Sequence, residues 1–331
     1  MKPIARLKLI IKKAFPILLP LALVPEYLSD YLRYVRYSGM IGYKRRHRQL
    51  IGRIIAEYHT VEKGLVMPSP RLGFGKANIL SLIRHIEMYQ RRFGRTDPQV
   101  ATAAAVVLEY ARMHRDRNHS LASDIDAAIT RLRRVFPELE PCQQVEYDNT
   151  TYFERIHSEF PAFSTSRRSV RNYSGADVPM RHVRDAIQLA RHAPSSCNRQ
   201  GVKAYVFSEK ERMLKIMSLQ GGSRGWGDRA SKLIVVTSDV AVSHGVYERN
   251  RAFVDGGMYA MNLLYALHHK GIATCSLNCN FEVRRDRRLR KLCGIPLSEE
   301  FIVMVTCGYP SKRFLVARST RSAPGSLVVE S

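Results

Sequence analysis

The chain has 331 residues, 45% of them hydrophobic, and 53 Lys and Arg against 29 Asp and Glu give a formal net charge of +24. That hydrophobic content excludes a disordered chain, and the length allows one large domain or two ordinary ones. The charge favours acidic partners, whether phosphate-bearing cofactors, anionic lipid or nucleic acid, without choosing among them.

Residues 1–43 read as a basic, apolar arm. The first 53 residues carry 12 Lys and Arg against only Glu26 and Asp30, around an apolar run from Ala14 to Val24 that contains Pro16 and Pro20. A membrane-spanning helix takes about 20 apolar residues, so the run is too short to cross. The prolines and the lack of a small-x-small cleavage site argue against a signal peptide. Two readings stay open: a segment lying on an anionic membrane surface, and an arm packed on the rest of the protein.

From 44 to 140 the periodicity is helical. Leu50, Ile51, Ile54, Ile55, Tyr58, Val61 and Leu65 form one apolar stripe, and Ile79, Leu82, Ile83, Ile86, Tyr89 and Phe93 a second. An alanine-rich helix follows Pro98, and Ser123 is placed to cap a fourth helix carrying Ile125, Ile129 and Leu132. His59 and Glu62 stand three apart on one helix face, either as metal-binding or proton-transfer groups or as an ordinary helix contact. Gly73 and Gly75 lack the third glycine and preceding strand of a dinucleotide fingerprint and read as turn residues.

Residues 141–162 are polar and read as a connector. From 163 to 331 helix and strand signals alternate. Asp177 and Pro179 open a helix carrying Val183, Ala186, Ile187 and Ala190; Lys203–Phe207, Leu233–Val236, Ile272–Leu277 and Phe301–Cys307 read as strands. Ser208 and Glu211 suggest a capping box, and a long apolar helix covers Phe253 to His268. The pattern predicts an α+β fold, a mixed sheet flanked by helices and preceded by an all-helical region. The six cysteines (Cys142, Cys197, Cys275, Cys279, Cys293 and Cys307) include no C-x-x-C pair. They argue against zinc and suit the free thiols of a reducing, cytoplasmic compartment. No nucleic-acid-binding motif accompanies the charge, so nucleic acid is not expected as a partner.

Two motifs carry chemistry. Ser166–Tyr173 reads S-R-R-S-V-R-N-Y. In an extended segment Arg167, Ser169 and Arg171 share a face, and two guanidinium forks with a hydroxyl suit a phosphate monoester. A solvated basic run is the other reading. After an amphipathic helix comes Ala193–Gln200, A-P-S-S-C-N-R-Q, whose hydroxyls and amides suit the polar edge of a flat heterocycle.

In this order the two motifs resemble those of the FMN-dependent nitroreductase family, and the likeness runs from about Phe163 to the C-terminus. Asp255-x-Gly257-x-x-Ala260-Met261-Asn262-Leu263, Gly271–Thr274, Cys307–Pro310 and Ala317–Arg321 extend it. Met261, Ala230-Ser231 and Ser276-Leu277-Asn278 depart from the family pattern, the last near the substrate face. The resemblance implies a nitroreductase-like α+β domain that binds FMN. Arg167, Arg168, Ser169, Arg171, Arg318 and Arg321 would hold its phosphate and ribityl chain. Pro194, Ser195, Ser196, Asn198 and Gln200 would line the ring, and Thr274, Cys275 and Ser276 would pass near N5. It implies NADH or NADPH as reductant, and hydride transfer to the flavin and then, by a ping-pong route, to a nitroaromatic, quinone or biosynthetic acceptor. It also implies a homodimer with flavin at the protomer interface, and no side chain acting as catalytic acid or base. The competing expectation is a nitroreductase-like binding protein without turnover, held at a membrane or a polysaccharide-assembly complex.

Overall fold

The helical stripes fold as α1 (His47–Leu65), α2 (Lys76–Phe93), α3 (Pro98–Arg115) and α4 (Ser123–Val135). The computed structural model describes residues 20–331 except 22, 26, 29, 33, 36, 38–46, 95, 96, 244, 245, 324, 326 and 331. The arm's apolar run before residue 20 lies outside the described residues. Three- and four-residue spacing gathers Leu50, Ile54, Tyr58, Val61 and Leu65 on one side of α1, buried in a core shared with Ile79, Leu82, Ile83 and Ile86 of α2. Pro98 opens α3, where its missing N–H costs nothing, and Asp97 caps it by accepting from Gln99 N at 2.8 Å. Ser123 is the first residue of α4 and not its cap; Ala122 holds that position without a side-chain bond.

Residues 141–162 are more than the expected connector. β1 (Val145–Asp148) pairs antiparallel with the chain's last strand, Arg313–Val316, and Tyr147 lies opposite Phe314. Asp148 then caps the short helix α5 (Asn149–Phe153) with a reciprocal Thr151 bond. Tyr152 of α5 is buried against Phe314, so this segment is packed in place.

After α6 (Phe160–Ser166) the chain runs through α7 (Met180–Ala190), β2 (Val202–Phe207), α8 (Lys210–Gln220), β3 (Lys232–Asp239), α9 (Arg251–His269), β4 (Ala273–Leu277), α10 (Val283–Cys293), β5 (Glu299–Gly308) and β6 (Arg313–Val316). Strands β2-β3-β5-β4 form a sheet in that order, all paired antiparallel; a parallel bridge from Ser169 to Thr274 at the β4 edge makes it mixed. Side chains alternate along β3. Ile234 and Val236 join the core with Leu263 and Leu267 of α9, while Leu233 and Val235 join the one with Met213 and Met217 of α8. With both faces covered, β3 is apolar without alternation, which is why its sequence reads as a continuous run. The cap of α8 falls on Glu209, whose carboxylate accepts from Glu211 N and Arg212 N, in place of the Ser208–Glu211 box. α9 lies close on β5: a Cβ at Gly256 would stand 2.5 Å from Ile302 Cγ1.

Candidate functional site

The opening motif is held extended by the sheet edge. Arg167 leaves α6 with extended backbone, Ser169 bridges Thr274, and Val170 N donates to Thr274 O at 2.9 Å. Val170 and Tyr173 are fully buried, and Tyr173 OH donates to Thr306 O at 3.1 Å. These anchors leave Arg167, Arg168, Ser169 and Arg171 lining a cavity of about 290 Å³. Strict alternation would have excluded Arg168, and here it joins the others. β4 contributes Ser276, its one exposed residue. The tail after β6 contributes Ala317, Ser319 and Arg321, and α1 contributes His59.

The tail reaches the cavity by a turn. Ser319 has φ 49, in the left-handed region, and its N–H donates to Glu62 Oε1 at 3.2 Å. The turn separates the two arginines expected at the phosphate. Arg321 faces the cavity, whereas Arg318 donates from Nε to Gln143 O at 3.0 Å and lines a different cavity with Glu109, Arg112 and Asp116.

The electrostatics are one-sided. Arg167 Nε, Arg168 Nε and Arg171 Nη1 are buried without a hydrogen-bond partner, and Arg171 is only 7% exposed. Among the described residues no carboxylate pairs with Arg167, Arg168, Arg171 or Arg321. A buried guanidinium without a partner is costly, so the arrangement is that of an anion site. Lys63 of α1 adds to it: burial, and then the Arg171 charge, push its pKa down. Thr274 and Cys275 are buried behind the cavity. Burial pushes the Cys275 thiol up against the pull of Arg171, Lys63 and Arg167, which keeps it protonated and a poor nucleophile.

The second motif lies elsewhere in the chain. Pro194, Ser195, Ser196, Asn198 and Gln200 do not line this cavity; they sit at the start of α9. Ser196 N donates to Asp255 Oδ1 at 3.2 Å, and buried Asp255 accepts from Arg251 Nη1 at 2.9 Å. Arg199 forms a fork on Glu248 at 2.9 and 2.6 Å, and Gln200 N donates to Ser195 Oγ at 3.1 Å. Cys197, Asn198 and Gln200 all have positive φ, at 51, 55 and 49. A left-handed non-glycine residue costs on the order of 1 kcal/mol, and such strain concentrates at functional sites. The loop is therefore fixed from behind while Pro194, Ser196, Asn198 and Gln200 stay exposed.

Comparison with known proteins identifies the family. A family model described as Nitroreductase family matches residues 165–221 and 213–309. A provisionally named NADH dehydrogenase/NAD(P)H nitroreductase of Archaeoglobus fulgidus is 31% identical over 145 residues, 44% of this chain and 82% of that protein. The chain belongs to the nitroreductase family. The 4-nitrobenzoate reductase of Nocardioides sp. is 23% identical over 207 residues, 48% of this chain and 83% of that protein. The solved structure of an FMN-dependent nitroreductase from Clostridium difficile R20291 overlays with a TM-score of 0.40 at 18% identity, covering 50% of this chain and 92% of that one. Nitroreductases are oxidoreductases that carry FMN and draw on NADH or NADPH. The residues here fit the phosphate of FMN: three guanidinium groups have buried nitrogens in want of an acceptor, and Ser169 adds a hydroxyl.

His59 and Ser319 line the cavity although sequence reasoning did not assign them to it, and Lys63 stands near enough to feel the Arg171 charge. The sequence offered His59 only as half of a polar pair with Glu62, and the full burial of Glu62 on α1, which ties that pair to the cavity, shows only in the fold. Glu62 accepts from His59 Nδ1 at 3.2 Å, and no group of three or more His, Cys, Asp and Glu among the described residues could hold a metal ion.

Proposed function

We propose that the chain is an FMN-dependent NAD(P)H oxidoreductase that works as a homodimer and passes hydride to a small acceptor by a ping-pong route. The observation that carries this reading is the set of buried, unpartnered guanidinium nitrogens on Arg167, Arg168 and Arg171 around one small cavity. FMN, when bound, would supply the redox chemistry that carries hydride from NADH or NADPH to the acceptor. The chain's own part is binding and orientation. Arg167, Arg168, Arg171 and Arg321 would neutralise the phosphate and the Ser169 hydroxyl would donate to it, and Ser276 marks the edge of β4 from which the cavity opens. Protonated Cys275 and buried Thr274 take no part in proton transfer.

The dimer rests on α9. Phe253, Val254, Met258 and Met261 are exposed on it, and a Cβ at Gly257 between them would meet nothing within 4 Å. Their spacing makes one apolar helix face. The strained Pro194–Gln200 loop is tied to the start of that helix through Asp255. Docking two α9 faces would carry each loop towards the other copy, which supplies the ring contacts that one chain lacks. The exposed Leu21, Val24, Tyr27, Leu28, Tyr31 and Leu32 of the arm support attachment to an anionic membrane surface as well. Among the described residues no helix is long and apolar enough to cross a membrane.

The test is an anaerobic titration of purified full-length protein with NADH and NADPH, followed by absorbance. A flavin spectrum that bleaches on titration, and recovers when a nitroaromatic or quinone is added, is expected. A protein that neither carries nor takes up FMN would overturn the proposal in favour of a binding protein without turnover.

A further inference from the structure

One wall of the cavity comes from outside the α/β domain. His59 of α1 lines it, and its Nδ1 bonds Glu62 Oε2 at 3.2 Å. Its Nε2 has no bond to any described residue. Glu62 is fully buried, and its other oxygen accepts from Ser319 N at 3.2 Å. One carboxylate therefore fixes both the imidazole on α1 and the turn that brings the tail to the cavity. A buried carboxylate beside an anion site is repulsive unless a cation stands between them. His59 is placed to be that group, since with Nδ1–H donating to Glu62 its Nε2 can donate only as the imidazolium.

We propose that α1 completes the anion site: His59, oriented by Glu62, donates Nε2–H to the phosphate held by Arg167, Arg168, Ser169 and Arg171. The proposal rests on the reading of this cavity as a phosphate site. Its consequence is that the helical region belongs to the binding machinery, because a phosphate bridging α1 and the opening motif ties the two halves of one chain together. Lys63, one turn further along the same helix and close enough to Arg171 to be perturbed by it, adds to the positive field from the same side. Glu62 is a positioning residue, acting through His59.

The experiment compares binding of FMN with that of riboflavin, which lacks the phosphate, by quenching of flavin fluorescence. It uses full-length wild type, His59→Ala, His59→Gln, Glu62→Gln, the His59→Ala/Glu62→Gln double variant and Arg171→Ala. A charge-assisted hydrogen bond is worth about tenfold in affinity. His59→Ala and His59→Gln should each reduce the preference for FMN over riboflavin about tenfold while riboflavin affinity stays unchanged. Glu62→Gln should reduce it less, and the double variant no further than His59→Ala alone. A merely structural role would lower both affinities together and leave the preference intact, which overturns the proposal. If the preference falls in Arg171→Ala and not in either His59 variant, the cavity is the phosphate site but α1 is not part of it. If none of the variants alters the preference, the phosphate reading of the cavity fails as well. Inorganic phosphate that displaces FMN from wild type, and does so less well from His59→Ala, supports the same contact through the phosphate alone.

Discussion

Replacing Arg171 by methionine should stabilise the protein without FMN and cut the stabilisation that FMN adds. Arg171 is 7% exposed, and its Nη1 is buried without a partner. An uncompensated buried cation costs the fold about 1–3 kcal/mol, and methionine retains much of the side-chain length without the charge. The variant without FMN should therefore be more stable than wild type by about that amount. With FMN that gain is offset, because the lost charge-assisted contact to phosphate is worth about 2 kcal/mol, or about 30-fold in Kd. At FMN about 100 times the wild-type Kd, binding adds about 2.7 kcal/mol to wild-type stability and about 0.9 kcal/mol to the variant. Urea unfolding followed by circular dichroism, with FMN absent and at that fixed concentration, reads both effects. A variant that is less stable without FMN, yet gains as much from FMN as wild type does, would refute the reasoning.

Burial among Tyr152, Phe153 and Phe163, and then the charges of Arg167 and His269, hold His268 down to about 4 from its usual 6.5. The unfolded chain takes up this proton below pH 6.5 and the folded chain only near 4, so stability should fall by roughly 3 kcal/mol as pH drops through that window. His268→Gln should flatten this part of the stability–pH curve, and an unchanged slope would count against the assignment. Arg321→Ala should weaken FMN binding about tenfold, while Arg318→Ala, which removes the bond to Gln143 O, should leave it within about twofold. Equal losses in a fluorescence titration would show that the tail has been placed wrongly. Phe253→Glu on the exposed face of α9 should yield monomer by light scattering, with bound flavin lost; a dimer that keeps its flavin would move the interface elsewhere.

What the sequence disclosed follows from how local each signal is. The stripe Leu50–Leu65 and the apolar run of β3 are written in contiguous residues, so their periodicity is legible before any partner is known. β1 is not: V-E-Y-D is four residues long, and the strand that makes it a strand lies at Arg313–Val316, near the other end of the chain. The arginine cluster was legible as a motif because Val170 and Tyr173 pin it extended within its own eight residues. The fates of Arg318 and Arg321 were not, because the left-handed Ser319 between them turns the tail, and nothing short of the Glu62 contact marks that turn. His59 and Glu62 read equally well as a helix contact, and only the folded chain shows Glu62 holding the tail and His59 facing the cavity.

The central claim, that this cavity holds the phosphate of FMN, is tested most directly by a crystal structure of the full-length protein with FMN bound. The account predicts the phosphate within hydrogen-bond distance of Ser169, Arg171 and His59, with the flavin ring directed to the Pro194–Gln200 loop of a second copy. FMN bound elsewhere with the arginine cavity unoccupied, or a ring contacted by the same chain's loop, would contradict it.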